Sequence, residues 1–521
     1  MSALKYFCLL SIFGCALALP VRGAGEKPSK TEKMQQQIEE LREEMERRQK
    51  EYEKRLQHLQ KQLDELSGQQ SQPSRKPDEG AGQLKRALED ARRERKTAEK
   101  EPEDDLERAL VEARSEGGQH ESAWPSLGGV GGAIQSMNPE ISAIVDTFYH
   151  ADDAEGGIES VFERMDGFGH GHNHGHDHEH GKIEDGFNMR HLELAFTGDV
   201  DPYFQATAIA AISEHGAEME EAYAETLALP AGLKVKAGKF FSDFGRINSQ
   251  HSHEWDFVDK PLIYRQLFGT HNLNEKGAQL SWLAPTPFYL KGGVEAFQGD
   301  NHLLFDHHGG ERLPDKDGPR ALVEWLKFGP NLSGAHGMEL GLSHGHGIHQ
   351  EVHDANLDGL DAHWLDGRSQ FWGTDAVYKY DASKPYGQGD VTLQAEYLWR
   401  EKDLDVEDHL LMPGFIGRDR VDTQDGFYLQ GTYGFAPRWR AGLRWDRVGL
   451  TNESEFPTGL KEDFDESDRL SAMVDFWPSH FSLLRLQVSR GDYAVGGDTE
   501  DVWEVFLQLM ISLGSHGAHE F

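Results

Sequence analysis

The chain has 521 residues, 90 acidic against 53 basic side chains, and a formal net charge of −37. That balance excludes nucleic acid as a partner and favours cations as ligands. Its only two cysteines, Cys8 and Cys15, lie in the first apolar stretch, so the rest of the chain has no cysteine catalysis and no disulfide framework.

Lys5 precedes YFCLLSIFGCALALP, which is too short to cross a bilayer as a helix. Ala16 and Ala18 make a small-x-small cleavage site, so residues 1–18 read as a secretory signal peptide. Residues 31–67 predict an α-helical coiled coil. Met34, Ile38, Leu41 and Met45 follow 4-3-4 spacing, and Tyr52, Leu56, Leu59, Leu63 and Leu66 repeat it after a stutter. A coiled coil implies a homo-oligomer. Residues 68–138 read as a charged helical and flexible linker.

From 139 to 521 the chain is a run of short segments with alternating apolar and polar residues. Sixteen strands are expected, near 139–149, 187–197, 202–212, 219–228, 232–241, 276–286, 288–298, 319–329, 336–345, 369–380, 389–400, 425–435, 437–447, 467–477, 480–490 and 501–512. In the last, Trp503, Val505, Leu507, Leu509, Ile511 and Leu513 share one parity. Glu504, Gln508 and Ser512 share the other, with Phe506 and Met510 as exceptions. The connections alternate between long (150–186, 242–275, 299–318, 346–368, 401–424, 448–466) and short, with only two short ones, 213–218 and 491–500, on the long side. A soluble sandwich has no reason to sort loops by side. The fold class is therefore all-β, a 16-stranded antiparallel transmembrane β-barrel with its apolar face outward, preceded by the coiled coil. Tyr203, Trp282, Trp325, Trp372, Trp399, Trp439 and Trp477 are expected in interfacial girdles. With both termini periplasmic, the long loops face outside, and outer-membrane lipid is a partner.

Two features carry chemistry. In GHGHNHGHDHEHG, residues 169–181, His170, His172, His174, His176, His178 and His180 alternate without a break. Neutral imidazole ligates Zn²⁺ and its neighbours, and a Gly-His run lets several rings converge, so metal contact is expected there. Protons compete for the same nitrogens, so the run should release metal as pH falls. His251, His253, His344 and His346 are further metal candidates. The second feature is segment 242–275, long and too apolar for an exposed loop. Folded inward it would narrow the lumen and leave Asp256, Asp259, Lys260 and Arg265 at a constriction. Inward faces carrying His191, Glu193, Glu221, Glu225, Lys234, Lys236, Lys291, Glu295, Arg440 and Arg444 suit a water-filled channel. No GxSxG, HExxH or phosphate-binding glycine motif sits at a strand–helix junction, and no catalytic residue or required cofactor is expected beyond a divalent metal such as Zn²⁺.

The stretches ELAFTGDVDPYFQATA and EEAYAETLALPAGLKVKAGKFFSDFGRINSQHSHEWDFVDKPLIYRQLFG, with the terminal LGSHGAHEF, are similar to a bacterial family labelled zinc-regulated TonB-dependent outer-membrane receptor. More distantly the layout resembles the phosphate-selective porins. These resemblances imply an outer-membrane barrel and a trimer. TonB-dependent receptors are 22-stranded with a plug, and residues 19–138 leave no room for one. The expected function is a porin-like channel for small solutes linked to zinc uptake or capture. An energised receptor and a non-conducting metal-binding surface protein are the alternatives.

Overall fold

A computed structural model of the protein describes residues 140–514, apart from 169–182, 215, 308–311, 315, 333, 354–362 and 410–412. The signal peptide, coiled coil, linker, His170–His180 run and Phe521 lie outside the described residues. Within them runs one antiparallel sheet: β1 (Glu140–Asp152), β2 (Gly186–Asp201), β3 (Phe204–Ser213), β4 (Gly216–Thr226), β5 (Leu233–Phe241), β6 (Asn274–Leu283), β7 (Tyr289–Phe297), β8 (Ala321–Gly329), β9 (His336–His353), β10 (His363–Tyr380), β11 (Val391–His409), β12 (Asp419–Ala436), β13 (Trp439–Glu455), β14 (Lys461–Asp463), β15 (Ser467–Ser479), β16 (Ser482–Val495) and β17 (Asp498–Gly514). β1 pairs with β2 and also with β17, Ser142 opposite Gly514 and Asp152 opposite Glu504, so the sheet closes. β14 is a three-residue strand that pairs only with β13. Sixteen of the 17 strands therefore form the wall, one for each expected segment. Closure leaves no unpaired edge, which is what allows a sheet to stand in hydrocarbon.

The wall is apolar outside and polar inside. On β17, Trp503, Val505, Leu507, Leu509, Ile511 and Leu513 are all exposed, while Glu504, Gln508 and Ser512 are buried. A soluble sandwich would reverse this. Aromatic side chains gather toward the rims, with Trp439 stacked on Phe476 at 4.6 Å near the short turns. Trp325 corrects the girdle expectation. It points inward, is 4% exposed, and donates its indole N–H to Glu295 at 2.9 Å.

Strands β9 to β13 run 17 to 19 residues, so connections expected to be long are largely strand. β11 shows why. Up to Trp399 its outward residues are apolar or aromatic. Beyond it the outward face becomes Glu401, Asp403, Asp405 and Glu407, while Leu404 and Val406 turn inward and pack on Leu365 of β10. The alternation inverts where the strand leaves lipid for water.

The apolar segment 242–275 folds inward, as expected from its side chains, so the lumen inside the polar wall is not open. Among the described residues, 153–168, containing helix α1 (Ile158–Glu163), and 242–273, containing helix α2 (Leu262–Phe268), enter it from the long-loop rim, joined in one core by Leu304 and Phe305 of the connection after β7. Phe244, Ile247, Tyr264, Leu267 and Phe268 of the second pack with Val161 and Phe162 of the first. Both pack in one core with Phe297, Phe371, Leu398, Tyr428, Val448 and Tyr493, which come from wall strands between β7 and β16. An apolar core thus occupies lumen that lies inside a wall already apolar on its other face.

Candidate functional site

The inserted segment 242–273 is held at its base, middle and flank. Asn248 joins its two ends, donating to the carbonyls of Ser242 and Leu273 and accepting from the Leu273 N–H. Glu295 of β7 accepts from the Ser242 hydroxyl and the Asp243 N–H. Glu396 of β11 accepts from the N–H groups of Arg246 and Ile247, from the Tyr264 hydroxyl at 2.6 Å and from the Tyr428 hydroxyl. Gly245 passes close beneath this carboxylate with φ +60; a Cβ there would sit 2.4 Å from the Tyr264 hydroxyl and 2.6 Å from Glu396 Oε2.

The four residues expected at the constriction are all drawn inward, and each charge is committed. Asp256 pairs with Arg440 at 2.6 Å and accepts from Gln430. Asp259 lies between Arg444 and Arg469, at 2.9 and 2.6 Å, and accepts from Gln487. Burial opposes its ionisation, but Arg444 and then Arg469 overrule it and hold its pKa below the usual carboxylate range. Lys260 donates to the carbonyls of Gly269 and Thr270 and to Asn272 Oδ1; burial, with Arg265 and Arg190 nearby, holds its pKa well below its usual value. Arg265 pairs with Glu159 and lies over the Phe162 ring. These side chains fasten the segment to the wall and to α1.

The same segment places His251 and His253 against β2 and β4, and two β-bulges prepare those strands for them. Opposite β3, Ile209 faces Glu221 and Ala210 faces Met219, so Glu220 is the extra residue. Opposite β1, Asp146 faces His191 and Thr147 faces Met189, so Arg190 is the extra residue. A bulge lets two consecutive side chains face one side. Glu220 with Glu221, and Arg190 with His191, therefore all turn inward.

The outcome is a cluster of three histidines and three glutamates. His251 Nδ1 lies 3.3 Å from Glu220 Oε2 and 3.4 Å from Glu193 Oε2. Its Nε2 lies 3.0 Å from Glu221 Oε2. His253 Nδ1 is 3.1 Å from Glu193 Oε2, and His191 Nε2 is 3.8 Å from the same oxygen. Burial works against a charge on His251, but Glu193 with Glu220 and Glu221 overcomes it and raises its pKa well above the imidazole norm. One ligand atom each from Glu193, Glu220 and His251 fall within 4.8 Å of one another. Around a tetrahedral Zn²⁺ with bonds near 2.1 Å, ligand atoms stand about 3.4 Å apart. The two separations from His251 Nδ1 have that length, and Glu221 stands behind the other ring nitrogen, as an orienting carboxylate does in metal sites. The cluster borders a cavity of about 350 Å³ between the inserted segment and β2–β4, lined also by Lys239, His271 and Ser213. The β3–β4 connection is one of the short ones on the long-loop rim.

His344 and His346 are not part of this cluster. They face outward on β9, with His344 Nδ1 3.1 Å from Glu324 and its ring 4.1 Å from that of Trp372. Of the inner cluster, sequence reasoning singled out His251 and His253 as metal candidates and left His191, Glu193 and Glu221 as lumen residues. It missed Glu220 altogether. The adjacent glutamates 220 and 221 in an otherwise alternating strand are the available signal of a bulge.

No protein-family model matches the chain. The chain is 36% identical over 347 residues to an uncharacterized protein of Aquifex aeolicus (strain VF5), covering 64% of this chain and 70% of that one. Among solved structures it is similar to Pseudomonas putida OprB (12% identity, 76% of this chain and 99% of that one, TM-score 0.44) and to the outer membrane channel DcaP of Acinetobacter baumannii (13%, 72% and 97%, 0.43). It is similar also to an anion-selective porin from Comamonas acidovorans (11%, 72% and 99%, 0.42).

Proposed function

The chain belongs to the same family as the Aquifex aeolicus protein, and from that premise we propose that it is an outer-membrane, porin-like barrel that captures divalent cations such as Zn²⁺ at its long-loop rim and admits them toward the lumen. In this reading the long loops face outside, residues 31–67 join copies into a trimer, and the His170–His180 run collects cations. The observation that carries it is the Glu193–Glu220–His251 cluster. Its mixed imidazole and carboxylate donors suit first-row divalent ions. Three protein ligands leave a position for water, the arrangement of a site that exchanges its ion rather than sealing it in. The surplus of acid concentrates cations at such a surface.

Purified full-length protein, titrated with Zn²⁺ by calorimetry, tests this. Glu193→Gln with His251→Ala should remove one bound ion per chain. Glu221→Gln should weaken that ion about 10- to 100-fold, the usual effect of losing an orienting carboxylate. Unchanged binding in both would refute the reading. A second reading, a capture protein without conductance, is favoured by the apolar core inside the lumen. Planar-bilayer recordings separate the two: zinc-dependent openings support passage, and their absence in protein that still binds zinc supports capture alone. An energised receptor would instead lose uptake when the energy-coupling system is deleted.

A further inference from the structure

A second group of side chains lies where the first long segment leaves and rejoins the wall. His150 and Asp152 end β1; Asp185 precedes β2. His150 is fully buried, and neither ring nitrogen has a hydrogen bond. A buried imidazole ordinarily bonds at about 2.7–3.2 Å. Here Nδ1 stands 3.5 Å from Asp185 Oδ1 and 3.9 Å from Asp152 Oδ2, and Nε2 stands 3.7 Å from Glu504 Oε2. Glu504 is itself 1% exposed, with Oε1 unpartnered. So a buried, unsatisfied ring is aimed at carboxylates too distant to bond it and spaced to share an ion with it.

We propose that His150, Asp152 and Asp185 form a second divalent-cation site, with Glu504 orienting the histidine. The separations at Nδ1 approach the roughly 3.4 Å edge of a tetrahedral zinc site. Both aspartates are already aimed. Asp152 accepts the N–H groups of Ala154 and Ile158 at 2.9 and 3.0 Å, and Asp185 accepts the Asp152 N–H at 3.1 Å. The Phe506 ring, 4.5 Å from that of His150, fixes its plane. Glu504 facing Nε2 completes the carboxylate–histidine–metal order that fixes the tautomer of a ligating imidazole. Glu504 and Glu184 line the same cavity as Glu220 and His251. The site rests on the proposed cation cargo and gives it an earlier station, at the root of the segment that carries the histidine run.

The test counts Zn²⁺ retained by full-length protein after passage over a chelating resin, by elemental analysis, with heat-modifiable gel migration as the check on folding. Asp185→Asn is the clean variant, because that side chain is 64% exposed. His150→Asn is the second. Each should retain one ion fewer than the unaltered protein. Combining either with Glu193→Gln and His251→Ala should remove two. If Asp185→Asn and His150→Asn fold and keep the full count, the second site does not exist. If they lose an ion while the Glu193 and His251 variant loses none, this site stands and the inner cluster is refuted.

Discussion

Replacing Asp259 with Asn should release the inserted segment from the wall. The carboxylate receives Arg444 at both oxygens, 3.0 and 2.9 Å, Arg469 at 2.6 Å and Gln487 at 2.6 Å. The arginine side chains are 1% and 2% exposed. Both also share Asp446, at 2.9 and 3.3 Å, so the substitution leaves two buried guanidinium groups on one carboxylate. Removing one partner of a buried ionic network costs about 3–5 kcal/mol. That is roughly two to three and a half orders of magnitude in the ratio of docked to undocked segment. Trypsin reads it directly. Arg265 is tied to Glu159 within the core and should resist cleavage, and the bond after it should become labile in the variant. Adding Arg469→Gln should restore part of the protection by rebalancing the charge. The sign of the pH dependence follows from the depressed pKa. Its contribution is complete above the unfolded carboxylate value near 3.9 and is lost only as pH falls through the lower folded value. The difference between native and variant protein should therefore stay constant from pH 7 to about 5 and shrink below about 4. Equal trypsin resistance in the two proteins, or a difference that already halves by pH 5, would refute the argument.

Gly245→Ala should lower the temperature of heat-modification, since it combines a positive φ with the approach to Tyr264 and Glu396; a cost of about 1–3 kcal/mol is expected. Deleting residues 169–181 should leave heat-modifiable migration intact and reduce the zinc bound per chain, measured by equilibrium dialysis. Replacing Ile38, Leu41, Leu56 and Leu59 with polar residues removes apolar burial of roughly a few kcal/mol per chain. If the proposed trimer is held by the coiled coil, crosslinking and mass measurement should then report its loss; an unchanged mass would show that residues 31–67 are not the oligomerisation element.

How much of this was legible in the sequence depends on where the solvent changes. Within the lipid-facing band each strand has one apolar and one polar face, and all sixteen wall strands could be placed. Past Trp399 the outside is water and the inside is apolar, so β11 continues with its pattern reversed, and alternation read with one sign ends too early. Trp325 was misplaced because β8 is apolar on both parities, with Val323 inward and Leu322 and Leu326 outward. The inner cluster was half legible. His251 and His253 stood out by type, but His191 and the glutamates come from β2 and β4. Glu220 faces the site only because a bulge breaks the period of two.

The exceptions to alternation carry information of their own. Phe506 and Met510 interrupt the polar parity of β17. Phe506 is fully buried and packs with Phe148 and with Val258 of the inserted segment. Met510 packs with Ile144 and Leu483 on the neighbouring strands. Phe371 does for β10 what Phe506 does for β17, facing inward against Phe244 and Phe268 of the same segment. A lumen bathed only in water would gain nothing from these rings, because burial of apolar surface stabilises only where a second apolar surface meets it. An inward aromatic on a barrel strand therefore marks where an inserted segment docks. In this chain those marks lie on β1, β10 and β17, around the same lumen into which the segment 242–273 had to hide its own aromatics.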